Sequence, residues 1–231
     1  MVTLIDNLLL CTIITSISYV IGIRVFRRFN KSWLNPLYTV TVSIICLLSF
    51  FHVDFSYYTS GTGIFSLLLG TATVSLAVPL YKQIKLIKKY LLIIGCAVMV
   101  GTLTGVISIV LLAKVVHLNQ EMMLSLIPKS VTVPIALSIS QSLGGIPSLT
   151  VLFVVISAVF SLVTGPLLLK ICRIRSKIAK GLALGTSAQA IGANRAFEWG
   201  ELEGAMGSIA MITSALFMTL ITPLLIYLYL L

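Results

Sequence analysis

Residues 121–145 read EMMLSLIPKSVTVPIALSISQSLGG. The stretch is apolar enough for a bilayer interior, yet Pro128, Lys129, Pro134 and the pair Gly144-Gly145 exclude an uninterrupted helix. Proline removes a backbone donor and clashes with the preceding turn, and glycine raises the entropic cost of helix. Residues 178–197, IAKGLALGTSAQAIGANRAF, have the same character, with Gly181, Gly185, Gly192 and Arg195 inside an otherwise apolar run. Irregular backbone at membrane depth is tolerated only where protein or a water-filled cavity satisfies its N–H and C=O groups. Two such breaks in one chain point to a polar hollow between them.

Outward from these stretches lie longer apolar runs at 4–23, 34–53, 64–81, 90–113, 148–169 and 205–231, each near the roughly 20 residues a helical crossing needs. Of 231 residues, 58% are hydrophobic and 10% charged, whereas soluble domains are usually about a quarter charged. This excludes a large aqueous catalytic domain. The expected architecture is all-α, a single integral membrane domain over residues 1–231 with about six full spans plus two broken or re-entrant segments. Arg24, Arg27, Arg28 and Lys31 follow the first run instead of preceding it, so that run is expected to stay as a span and not to leave as a signal peptide. The formal net charge of +10 sits in short loops, a pattern of topology and not of nucleic-acid binding.

Loop charge constrains how the segments cross. Basic clusters stand at residues 24–31, at Lys82, Lys85, Lys88 and Lys89, and at Lys170, Arg173, Arg175, Lys177 and Lys180, and the positive-inside rule places all three in the cytoplasm. Between the second and third clusters the chain crosses an even number of times, and runs 90–113 and 148–169 already make two. Stretch 121–145 is therefore expected to contribute no net crossing: a hairpin entered from outside, breaking near Pro128–Pro134 and returning by Gly144-Gly145. Stretch 178–197 is its counterpart from the opposite face, and two such segments meeting near the midplane are a transporter-like arrangement. The alternative is that each broken stretch crosses fully as a discontinuous helix. An LGT string recurs at 69–71 and 184–186, which leaves an internal repeat as a further expectation.

The residue types at the breaks favour an anionic or polar ligand. Ser130, Thr132, Ser138, Thr186, Ser187, Gln189 and Asn194 supply hydrogen bonds, and half-helix N-termini add partial positive charge. The competing structural reading is that these groups only bond helix backbones and neighbouring helices. Lys129 and Arg195 are the sharpest candidates, because a cation at bilayer depth costs about 2.5–3.5 kcal/mol and so faces a partner, cavity or substrate. Against that stands snorkelling at an interface, with Arg195 paired to Glu198 or Glu201. Glu198, Glu201 and Glu203 read as a solvated loop, with Glu203, which enters the last span, as the exception and the candidate for ion coupling. Cys11, Cys46, Cys96 and Cys172 are scattered singly, and His52 and His117 have no carboxylate or cysteine at ligand spacing, so neither a disulfide framework nor a metal site is expected. No P-loop, dinucleotide glycine string, HExxH or catalytic-triad pattern occurs, so no cofactor and no enzyme activity are expected.

Several separated strings, taken in order, resemble the LrgB/CidB family: Thr71-Ala72-Thr73 with Pro79-Leu80-Tyr81-Lys82, Ile127-Pro128-Lys129-Ser130-Val131-Thr132 with Pro134-Ile135-Ala136, Gly144-Gly145, residues 178–187, and Glu203-Gly204-Ala205. The resemblance spans nearly the whole chain. It implies a multi-pass protein of the bacterial inner membrane, a small holin-like membrane partner of the LrgA/CidA type, and two functional pictures. One is an antiholin-like regulator of murein hydrolase activity and lysis; the other is a carrier of small carboxylates such as pyruvate, glycolate or glycerate. On that reading Lys129 and Arg195 attract the carboxylate, while Ser130, Thr132, Thr186, Ser187, Gln189, Asn194, Thr71 and Thr73 line its path. A homo-oligomer and contact with anionic membrane lipid are further expectations. The sequence departs from the family pattern at Gly70 and Thr71, and at Gln189, where relatives often have histidine; glutamine does not titrate, so a histidine proton relay does not transfer.

Overall fold

The computed structural model describes residues 2–29, 36–54, 57–58, 61–65, 68, 71, 74 and 77–230, and every regular element among them is α-helical. They fall into two units, residues 1–72 and 73–231. In the first, α1 (Val2–Phe29) takes up the first apolar run as one helix of 28 residues, about 42 Å long at 1.5 Å per residue. Arg27 and Arg28 occupy its last turn, where cations complement the helix dipole. α2 (Pro36–Phe50) starts on a proline, whose fixed φ suits the first helical position, and packs against α1. Its 15 residues rise about 22 Å, short of the roughly 30 Å hydrocarbon core. The helix stops because the chain turns at His52, with φ 52° and Val53 N–H donating back to Leu48 O. The hydroxyls of Thr15 and Tyr58 share a hydrogen bond at 2.8 Å.

The second unit holds α3 (Ala77–Lys82), α4 (Ile84–Val115), α5 (Gln120–Leu126), α6 (Val133–Leu143), α7 (Pro147–Ile171), α8 (Lys177–Phe197) and α9 (Glu201–Leu230). Among the described residues three helices are long and apolar enough to cross a membrane: α4, α7 and residues 201–225 of α9. The other three of the six expected crossings fall in residues 4–81, where much of run 64–81 lies outside the described residues. Lys85, Lys88 and Lys89 sit before a non-helical Tyr90 (φ −119°, ψ 21°), so the basic surface turn and the apolar span are one helix with a kink. Beyond the kink α4 buries Ile94, Val98, Thr102, Val106, Ile109 and Ala113, a three-to-four-residue spacing that defines one face.

The two broken stretches fold back on themselves. α5 and α6 rise only about 10 and 16 Å, too short to cross singly. Residues 127–132 between them form consecutive turns, with Lys129 N–H on Leu126 O and Val131 N–H on Pro128 O. Pro134 stands in the first turn of α6, where its missing N–H costs nothing, and so starts the helix that follows the break. α6 ends at Gly144 in the left-handed conformation (φ 85°) that glycine reaches without strain. The chain thereby returns to where it entered. Ile146 N–H donates to Ser125 Oγ at 2.7 Å, and a side chain at Gly145 would meet Ser125 and Ser140. Thr150 Oγ1 donates to Ser140 Oγ at 2.6 Å and locks the turn to α7.

α8 breaks at Gln189, whose φ of 54° and ψ of −135° lie outside the helical region. A Cβ on Gly192 would collide with Leu184 O and Ala188 Cβ, although residues 184 and 192 of a continuous helix stand about 12 Å apart. The second limb, 190–197, therefore runs antiparallel to the first, 177–188. The break falls at Gln189, while Gly185 and Gly192 lie in the limbs and serve close approach: Gly181 and Gly185, four residues apart on one face, let the backbone of α9 pass at Glu203 and Gly207.

Each hairpin has its own core. Leu182 of α8 packs with Ile94 and Val98 of α4 and Met206, Ile209 and Ala210 of α9. Leu124, Ile127, Val131, Ala136 and Ile139 of the first hairpin pack with Val106 and Ile109 of α4, Val154 of α7, and Ala215 and Met218 of α9. The hairpins thus occupy successive levels of the same spans and approach each other from opposite ends.

Candidate functional site

The apices of the two hairpins touch. Gln189, 6% exposed, donates its side-chain N–H to the backbone oxygen of Lys129 at 3.1 Å. The bond uses a carbonyl that the turn at 127–132 leaves without a helical partner, so each break completes the other. The N-termini of α6 and of the second limb of α8 both begin at this junction, where unpaired N–H groups and the helix dipole favour negative charge.

Two cavities meet at Lys129. The larger, about 800 Å³, runs between α4 and the first limb of α8 from Ser176 to Lys129 and Ser130, and includes Thr102, Thr186 and Ser187 in its wall. The smaller, about 340 Å³, lies between the far end of α4, near Ile109 to Leu118, and Phe153 to Ser161 of α7, and again includes Lys129. Lys129 is the charged side chain common to both walls, and neither wall contains a carboxylate.

The hydroxyls of the larger cavity divide into two kinds. Thr186 Oγ1 donates to Leu182 O at 2.7 Å and Ser187 Oγ to Ala183 O at 2.8 Å. Thr104 and Ser108 are likewise committed to carbonyls of their own helix. These four present lone pairs to the hollow, as the structural reading of such groups holds. Thr102 is different: its side chain is 7% exposed and Oγ1 has no hydrogen-bond partner. Buried hydroxyls are normally satisfied, so an orphaned one in a cavity wall marks a place for a polar ligand or water. Sequence reasoning missed Thr102; the available signal was a hydroxyl at the four-residue spacing of the buried face of α4. Thr132, at the N-cap of α6, also keeps a buried, unpartnered Oγ1.

Other candidates stand elsewhere. Asn194 and Arg195 lie on the returning limb of α8 and line neither cavity. Arg195 forms an ion pair with Glu198 three residues on, the two side chains 36% and 59% exposed. Glu203 is 5% exposed in the first turn of α9, with its carboxylate beside Gly200. Thr71 belongs to the first unit, is exposed, and donates to Leu68 O; Thr73 lies outside the described residues. Among the described residues no group of three His, Cys, Asp or Glu is placed to hold a metal ion.

A bundle of apolar helices packed on two opposed helical hairpins, with a largely apolar hollow that carries Lys129 where they meet, defines a class of helical membrane protein. The chain belongs to the LrgB-like family, whose pattern matches residues 15–228. It is 38% identical to the Bacillus subtilis protein YxaC over 94% of both chains. It is also 36% identical to YwbG of the same organism over 92% of this chain and 95% of that one. The antiholin-like protein LrgB of Bacillus cereus is 38% identical over 91% of this chain and 92% of its own. No solved structure matches.

Proposed function

We propose that the chain is a multi-pass carrier, or carrier subunit, of the bacterial cytoplasmic membrane that moves small organic anions of the monocarboxylate class. The observation that supports this reading is the position of Lys129 in the walls of two hollows reaching towards opposite ends of α4. A carboxylate entering from the Ser176 end meets a largely apolar groove and then, at the hairpin junction, an ammonium group, the Ser130 hydroxyl and the unpartnered Thr102 hydroxyl. Gln189 holds the junction in shape through its bond to Lys129 O, and Thr132 adds a second unpartnered hydroxyl beside it. Glu203 is the candidate for proton coupling, and Arg195, paired with Glu198, belongs to the hairpin's mouth.

The reading is tested by uptake of radiolabelled pyruvate into liposomes under an imposed pH gradient, with Lys129→Gln as the variant. Uptake above empty vesicles that falls to background in Lys129→Gln supports it. Wild-type uptake equal to empty vesicles overturns it.

The names of the Bacillus cereus relatives favour a second reading, an antiholin-like regulator assembled with a small LrgA/CidA-type membrane partner or with further copies of itself. It predicts that a lysis phenotype survives Lys129→Gln and responds to replacement of exposed bases at Lys85 and Lys88.

A further inference from the structure

A second charged hollow lies away from the hairpin junction, at the end of α7 and the mouth of the α8 hairpin. About 330 Å³ in volume, it is lined by Lys170, Arg173, Arg175 and Lys180 together with Trp199 and the apolar Pro166 and Leu169. No carboxylate stands in its wall, so the four basic residues line the hollow with no acid among them. Lys180 Nζ lies 5.9 Å from the centre of the Trp199 ring, which holds an indole over the pocket. Arg173 follows the last turn of α7 at φ 54°, with its own N–H on Lys170 O and Ile174 N–H on Leu169 O. That left-handed closing position usually belongs to glycine. An arginine there gives up backbone comfort and places a fourth charge on the pocket.

We propose that this pocket binds the headgroup of an anionic phospholipid in the leaflet that the Lys170–Lys180 cluster faces. The proposal rests on α7 being a membrane span and is independent of what, if anything, the chain carries. Three features favour a lipid over a soluble anion. The pocket lies at the C-terminal end of α7, a helix long and apolar enough to cross a membrane. An indole is the side chain that prefers the membrane–water interface, with its apolar ring and polar N–H. Along α7 next to the pocket, Phe160, Val163, Leu167 and Ile171 are each more than half exposed, an apolar track on which acyl chains of the same lipid lie. Basic pockets of this kind on the cytoplasmic side of membrane proteins recognise phosphate headgroups by the same charge logic.

The full-length protein carrying Trp33→Phe, so that Trp199 is the remaining indole, tests it in nanodiscs. Brominated phosphatidylglycerol is expected to quench Trp199 more strongly than brominated phosphatidylcholine at equal mole fraction. That preference should weaken about fivefold for each cation removed. Lys170→Gln and Arg173→Gly are the variants of choice; the glycine also removes the left-handed strain, so a loss of preference there is not a loss of fold. Equal quenching by the two lipids, or a preference unchanged in both variants, overturns the proposal. So does a preference abolished by inorganic phosphate but not by chloride of equal ionic strength, which would make the pocket a soluble-anion site.

Discussion

Gln189 carries two opposed energies, and separating them tests the hairpin junction directly. Its φ of 54° with ψ of −135° is the conformation of the first central residue of a type II′ turn, a place where glycine is favoured. Holding a residue with a Cβ there costs about 1–3 kcal/mol. Its side chain offsets part of that through the bond to Lys129 O. Gln189→Ala keeps the strain and deletes the bond, leaving a buried carbonyl without its donor, at a cost of about 2 kcal/mol. At about 3 °C per kcal/mol for a chain of this size, the melting midpoint should drop by roughly 6 °C. Gln189→Gly deletes the same bond but releases the strain, and should recover about 1–2 kcal/mol relative to alanine, or roughly 3–6 °C. The assay is thermal unfolding in one detergent for all three proteins, read by near-UV circular dichroism. The order expected is wild type and glycine variant close together, alanine variant lowest. A glycine variant no more stable than the alanine variant would mean that residue 189 is not in the left-handed region, and the fold-back of α8 would lose its main support.

Topology follows from the same geometry. With the native cysteines removed, Asn119→Cys and Pro147→Cys should be labelled by an impermeant thiol reagent from one face, and Ser176→Cys with Gly200→Cys from the other; labelling of either pair from opposite faces would refute its hairpin. Gly185→Val places methyl groups against the backbone of Gly207 and should destabilise by about 3 kcal/mol or more, read as faster proteolysis of the purified protein. Ser140→Ala should cost only about 1 kcal/mol in thermal unfolding, because Thr150 Oγ1 retains a second acceptor in Ile146 O at 3.1 Å. Arg195→Ala should leave thermal stability within about 0.5 kcal/mol of wild type, since its exposed pair with Glu198 is worth little in water; a larger drop would mean that Arg195 is buried in the assembled protein.

The places where the chain departs from regular helix were legible because an apolar run that crosses lipid as one smooth helix has little use for proline, glycine or charge. Pro128 and Gly144 lie where the backbone turns. The second hairpin was less legible in detail. Its glycines drew attention to Gly185 and Gly192, yet the turn falls at Gln189, a residue with no turn preference in isolation, because its side chain finds an acceptor 60 positions away in sequence. Propensity is local and that bond is not. Lys129 stood out by the cost of its charge. Thr102 did not, because a threonine in a helix is ordinary until its hydroxyl proves to be buried and unpartnered. Arg195 shared the signal of Lys129, but a carboxylate three residues away could answer it locally. A cation in an apolar run therefore points to a ligand more strongly when no acid lies within one helical turn.

The division among the cavity hydroxyls bears on how an anion would travel. Hydroxyls already donating to carbonyls one turn back turn oxygen lone pairs towards the hollow, and these repel an anion instead of holding it. Thr104, Ser108, Thr186 and Ser187 do this along the groove. Donors not committed in this way stand at Lys129, Ser130 and Thr102 around the junction, at Ser176, whose Oγ accepts from Ala179 N–H, and at Ser157 and Ser161 in the smaller hollow. A carboxylate would therefore find one cation, Lys129, where the two hollows meet, with scattered hydroxyls on either side. Conduction or carriage demands binding strong enough to draw the solute in and weak enough to release it. A wall of donors along the full groove would fail the second requirement; one cation at the place where two hollows meet satisfies both. The Lys129 O–Gln189 bond ties that cation's backbone to the opposite hairpin, so the two apices together hold the ammonium at the meeting point of the hollows.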